Sequence, residues 1–192
     1  PSTRLGGVLV LLTLFALRLE AAEPSRVITL GGAVTEIAWA LGAGERVIAT
    51  DASSTYPAAA AALPKVGYFR TLGIEPLLAL APDLVLTSEH AGPPAVLEQL
   101  ARAGVEVERI DDAPSADGIT RKIAHVAAAL GLEEAGVTQS GQVEAALAAA
   151  RAQVSARTGT PRVLFLLSAG PQGLMAAGSD TAADALIALL GA

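Results

Sequence analysis

Residues 26–50, RVITLGGAVTEIAWALGAGERVIAT, hold the pattern that decides the fold. RVITL (26–30) is short, apolar and β-branched, which predicts a strand. VTEIAWALG (34–42) puts Val34, Ile37, Ala38 and Leu41 on one face of a helix that stops at Gly42. RVIAT (46–50) is again a strand. The same alternation recurs in DLVLTS (83–88), then PPAVLEQLARAG (93–104), with proline at its start and glycine at its end, then VEVERI (105–110). EPLLALAP adds a short helix opening at Glu75. Strands alternating with helices predict an α/β fold with a mostly parallel sheet and right-handed crossovers.

From Ser115 to about Arg157 the pattern is helical, with breaks expected near Gly131 and Gly136. Within it, EAALAAARAQVSAR is a strong helix former suited to a rigid strut. RVLFLLS (162–168) predicts a further strand, followed by a glycine-rich loop and the helix TAADALIALLG. One strand and one helix cannot bury their own apolar faces. The expectation is therefore a lobe over 23–131, a connecting helix over 132–158, and the opening of a second α/β lobe over 159–192, only partly present. Residues 1–22 read as a signal peptide, with Arg4 ahead of GGVLVLLTLFAL and small residues Ala21 and Ala22 at the close.

Composition excludes several function classes. The net charge of −6 and pI near 4.9 argue against a nucleic-acid surface, which needs clustered Lys and Arg. The chain has no cysteine, which removes thiolate catalysis, disulfides and iron–sulfur ligation. Gly31 and Gly32, between a strand and a helix, raise a nucleotide-binding turn, but GGAVTE supplies only the first part of a G-x-G-x-x-G fingerprint. The serines lack a G-x-S-x-G elbow, and Asp111, Asp112, Glu133 and Glu134 read as solvated ends. His125 reads as a surface or boundary position along a helix, whereas His90 follows a strand end, where ligand-facing loops gather, and reads first as an exposed loop histidine and second as a ligand. No enzyme chemistry is expected.

The long connection DASSTYPAAAAALPKVGYFR (51–70) is a candidate functional loop. Tyr68 is one of two tyrosines in the chain. It reads either as a packing residue or as a ligand. If the chain is extended, Arg70 points to the same side and its charge favours the phenolate, a hard donor suited to ferric iron.

With RVITLGGAVTEIAWALGAGERVIAT upstream, the run DASSTYPAAAAALPKVGYFRTLGIEPLLALAPDLVLTSEHAGPP resembles the haem-binding periplasmic proteins of bacterial haem-uptake ABC transporters. Thr35-Glu36-Ile37 and EPLLALAPDLV are shared with the wider cobalamin- and siderophore-binding proteins, whereas TYP…LPKVGYFRTL is more specific to the haem branch. The resemblance covers residues 26–192. It implies a two-lobed periplasmic binding protein with parallel-sheet lobes joined by a long rigid helix. It implies that Tyr68 is the axial ligand to ferric haem, that Arg70 supports its phenolate, and that Glu75 docks on the permease. The implied partners are haem, an inner-membrane ABC permease with its ATPase, and an outer-membrane receptor system upstream. The second-lobe loop LLSAGPQGLMAAG lacks the histidine that some members add, so tyrosine alone is the expected ligand. A cobalamin or ferric-siderophore binder of the same fold and a nucleotide-binding α/β enzyme are the alternatives.

Overall fold

The computed structural model describes residues 23–156, 159, 161–171, 173–189 and 191. The expected signal peptide, 1–22, lies outside them. The first part of the chain runs β1 (Val27–Leu30), α1 (Gly32–Ala40), β2 (Val47–Thr50), α2 (Ala58–Ala61), α3 (Ile74–Leu78), β3 (Leu84–Ser88), α4 (Pro94–Arg102), β4 (Glu106–Ile110) and α5 (Ala116–Leu130). These follow the alternation of the sequence closely, because side chains alternate between faces along a strand and fall in a single apolar stripe along a helix.

The four strands form one parallel sheet in the order β2-β1-β3-β4. Alternate residues of β1 and β3 serve opposite faces. Val27, Leu84 and Leu86 pack with Val34, Ala38 and Leu41 of α1 and Ile123, Val126, Ala127 and Leu130 of α5. Ile28, Leu30 and Val85 pack with Leu77 of α3 and Leu97 and Leu100 of α4. The crossover β1-α1-β2 moves one way across the sheet over one face, and β3-α4-β4 moves the other way over the other face, so the two have the same hand. The direction in which the chain steps across the sheet therefore reverses between β1 and β3, which is where open α/β sheets place a crevice at their carboxyl ends.

After α5 ends at Gly131 in the left-handed region (φ 68°), α6 (Glu133–Ser155) continues for 23 residues, or about 35 Å. The break expected at Gly136 is not there. That glycine lies inside α6, buried where the helix crosses α5, and a Cβ on it would stand 2.5 Å from the Ala127 Cβ. The glycine lets two backbones approach rather than ending a helix. Val143 of α6 is half-buried against the same core, while Ala145, Ala146, Ala149 and Ala150 face solvent.

Beyond α6 the strand expected over 162–168 is shifted. β5 (Leu166–Gly170) pairs antiparallel with β6 (Gly173–Ala176), which occupies the stretch read from sequence as a glycine-rich loop. Gly173, at φ 110°, makes the tight reversal. Val163, Leu164, Phe165, Leu166, Leu167, Leu174 and Met175 are exposed. α7 (Ala182–Leu189) follows, and together with α6 and the start of α5 it lines a hollow of about 550 Å³. No described helix is long and apolar enough to cross a membrane.

Candidate functional site

The carboxyl edge of the sheet gathers the loops that follow β1, β2, β3 and β4. At its centre stands the turn from β1 into α1. Gly31 has φ 105°, and a Cβ there would crowd the Ser88 side chain at 3.3 Å, so glycine is required by both conformation and space. The Gly31 N–H does not face an open anion site. It donates to Asp51 Oδ1 at 2.9 Å.

Asp51, directly after β2, is fully buried. Its Oδ1 also accepts from the Ser54 hydroxyl at 2.6 Å, and its Oδ2 accepts from the Ser53 N–H at 2.9 Å and the Ser53 hydroxyl at 2.6 Å. Burial raises the pKa of this carboxyl, but the hydrogen bonds from Ser53, Ser54 and Gly31 outweigh burial and hold it below its ordinary value. An internal carboxylate thus occupies the amide that a phosphate would use, which speaks against the nucleotide reading of Gly31-Gly32.

A chain of hydroxyls leads away from this carboxylate. Ser54 Oγ lies 2.7 Å from Thr35 Oγ1, which lies 2.8 Å from Thr29 Oγ1, all buried. A carboxylate only accepts, so the Ser54 proton is committed to Asp51. Thr35 must then donate to Ser54, and Thr29 to Thr35. The direction of the whole chain is set by one charge.

The loop after Asp51 folds back along the outer edge of β2. Thr50 N–H donates to Pro64 O and Val66 N–H to Thr50 O, both at 3.0 Å. The Lys65 ammonium donates to Thr50 Oγ1, Ser54 O and Ala60 O at 2.6, 2.8 and 3.0 Å, using its three protons on neutral acceptors. Next, Ala52 N–H donates to Gly67 O at 2.7 Å. Gly67 turns the chain with φ 108°. Gly92 N–H then donates to Phe69 O, and Leu72 N–H to Gly92 O, each at 2.9 Å. The segment 66–72 is therefore tied at one end to β2 and at the other to the loop behind β3. Val66 and Leu72 are buried, and Phe69 half-buried, in the core beneath.

Between these anchors Tyr68 projects outward, 45% exposed. Its ring meets Phe69 edge to face, with centroids 5.0 Å apart. The Arg70 guanidinium carbon lies 5.3 Å from the Phe69 ring centroid, so Tyr68 and Arg70 both meet Phe69. The Thr71 N–H donates to Tyr68 O at 2.9 Å, so residues 68–71 form a turn in place of the extended run whose alternation would put residues 68 and 70 on one side. Glu75 is exposed in the first turn of α3.

His90, also on this rim, has an exposed ring 3.9 Å from Glu89 Oε1, and the His90 backbone N–H donates to Ser88 Oγ at 3.2 Å. His125 lies away from the rim on α5, with Nε2 3.1 Å from Glu108 Oε2. Asp112, read from sequence as solvated, is half-buried. It accepts from the Ser88 hydroxyl at 2.6 Å and from the Lys122 ammonium. Burial raises its pKa, and the bonds from Lys122 and Ser88 more than reverse this. Among the described residues no group of three His, Cys, Asp or Glu is placed to hold a metal ion. Asp51 is not singled out by the sequence reading, although D-x-S-S directly after a strand is a turn signal that could have marked it.

The arrangement is an aromatic and cationic surface on a pinned loop, with the exposed His90 and Glu89 on the same rim. Residues 27–192 match the sequence model described as periplasmic binding protein. Among solved structures, a periplasmic haem-binding protein from Roseiflexus sp. RS-1 in apo form superposes with a TM-score of 0.83 and 44% identity, covering 87% of this chain and 64% of that one. The periplasmic vitamin B12-binding protein of Vibrio cholerae superposes with a TM-score of 0.75 and 25% identity, over 88% of this chain and 65% of that one. The vitamin B12-binding protein of Vibrio vulnificus (strain YJ016) is 40% identical over 97 residues, 50% of this chain and 36% of the relative. The chain thus spans somewhat under two thirds of the solved neighbours, and the match to the B12-binding relative spans just over a third of it.

Proposed function

Because the chain belongs to the family of periplasmic binding proteins, we propose that it captures ferric haem in the periplasm and delivers it to an inner-membrane ABC permease and its ATPase. The observation that carries this reading is Tyr68, raised into solvent on a loop tied down at both ends on the carboxyl edge of the sheet. A phenolate is a hard, anionic donor that suits ferric iron and serves as an axial haem ligand. Phe69 and the apolar loop offer a surface for the porphyrin face, whose burial supplies most of the binding energy. Arg70, stacked on Phe69, is the cation of the same loop assigned here to support the iron-bound tyrosine oxygen. Glu75, exposed on α3, is the docking carboxylate for the permease. No bond is made or broken in this cycle of capture and release, apart from the iron–phenolate bond itself.

The same reading divides the chain into a lobe over 23–131, a connecting helix over 132–158 and the opening of a second lobe over 159–192, with a signal peptide over 1–22. A stiff α6 would keep lobe closure small. The identity to vitamin B12-binding relatives supports cobalamin as the second reading, with a ferric siderophore as a further ligand of the same fold.

Separate titrations of the full-length protein with hemin, cyanocobalamin and a ferric siderophore test this. Hemin is expected to give a Soret shift with a tyrosinate-to-iron band, and Tyr68→Phe to abolish that band and weaken hemin binding at least tenfold. Cyanocobalamin binding without a hemin response, unchanged in Tyr68→Phe, would transfer the assignment to cobalamin.

A further inference from the structure

We propose that Asp51 is a positioning residue for the Tyr68 loop: its buried carboxylate fixes the backbone that holds the phenol at the point where a ligand meets it. This deepens the haem reading and rests on it for the identity of that ligand. Three observations converge. The Asp51 carboxylate is fully buried and takes four hydrogen bonds, from the Gly31 N–H, the Ser53 N–H and the hydroxyls of Ser53 and Ser54. Ala52, whose N–H donates to Gly67 O at 2.7 Å, is held between these bonds. Ser54 O accepts from Lys65 at 2.8 Å, so the residues before Gly67 are reached by a second route.

The path is short. Asp51 fixes residues 52–54, these fix Lys65 and Gly67, and Gly67 at φ 108° sets the direction in which Tyr68 leaves. Tyr68 itself is 45% exposed, so little packing restrains its ring. Binding to a preorganised group avoids the cost of ordering it on contact. Asp51 touches no ligand in this scheme and acts only through the loop.

Asp51→Asn keeps the shape but turns an amide nitrogen, which can only donate, toward hydroxyl and N–H donors. Amide hydrogen exchange and hemin spectroscopy on the full-length protein read the consequence. Exchange at residues 66–72 is expected to rise at least tenfold, hemin dissociation to quicken at least tenfold, and the tyrosinate band to weaken at saturating hemin. Leu86→Ala, which opens a cavity on the opposite face of the sheet from the loop, is expected to lower stability and leave that band intact. Wild-type exchange and an unchanged band in Asp51→Asn would overturn the proposal, as would the same spectral loss in Leu86→Ala. Faster exchange in Asp51→Asn with no hemin response from the parent protein would sink the haem reading and keep the loop-positioning role.

Discussion

The chain Thr29 to Thr35 to Ser54 to Asp51 makes a directional prediction. In Thr35→Val the side-chain volume is nearly conserved, so the loss is the hydroxyl. The Thr29 proton, which Thr35 accepts at 2.8 Å in a fully buried site, then has no acceptor in the chain. A buried donor left unpaired costs about 1–3 kcal/mol. For a protein of this size that lowers Tm by about 4–8 °C if the cost is near 2 kcal/mol. Thr29→Val instead removes the first donor and leaves Thr35 still donating to Ser54 at 2.7 Å, so it should cost under about 1 kcal/mol. The double variant, which has no stranded hydroxyl, should be more stable than Thr35→Val alone. Thermal and urea unfolding followed by circular dichroism give all three values. If Thr29→Val proved the more damaging change, or if the two costs simply added, the chain would not run toward Asp51 and the polarity argument would be wrong.

Asp112 titrates below its ordinary value of 3.8 because Lys122 and Ser88 outweigh burial. A carboxyl with a depressed folded-state pKa contributes stability above that ordinary value and loses it as pH falls through the folded one. Asp112→Asn should therefore lower stability at pH 7, with the difference from the parent narrowing as unfolding is measured at progressively more acid pH below 3.8. The α5–α6 crossing gives a contrast within one helix. Gly136→Leu must push aside Ala127 and should destabilise by about 1–3 kcal/mol. At Gly141 a Cβ would meet nothing within 4 Å, so alanine there should add up to about 1 kcal/mol of stability from helix propensity; midpoints of urea unfolding for the two variants would settle both.

The elements β1, α1, β2, β3, α4 and β4 are legible in the sequence because local period and terminal residues act within a few positions of each other. Gly42, Gly104 and Pro94 punctuate them as their backbone chemistry requires. Tyr68 stands out by its setting, and the structure puts it on the rim at the carboxyl edge of the sheet. The contact of Arg70 with Phe69 is not legible, because a turn closed by the Thr71 N–H on Tyr68 O stands where an extended loop would alternate its side chains. Asp112 escapes for a different reason: its partners Ser88 and Lys122 lie 24 and 10 residues away, beyond any local pattern. Gly136 reads as a break because a helix glycine is normally a cost, and only the close approach of α5 turns it into a fit.

By itself the sequence determined the alternation of strands and helices from β1 to β4 and which loop is unusual, since those properties follow from nearest neighbours along the chain. Only the tertiary structure decided that β1 lies between β2 and β3, that Asp51 closes over the β1–α1 turn, and that the loop carrying Tyr68 is pinned from two sides. Those outcomes depend on which groups lose water together, and a buried carboxylate such as Asp51 holds its charge only where distant parts of the chain deliver enough donors to replace that water.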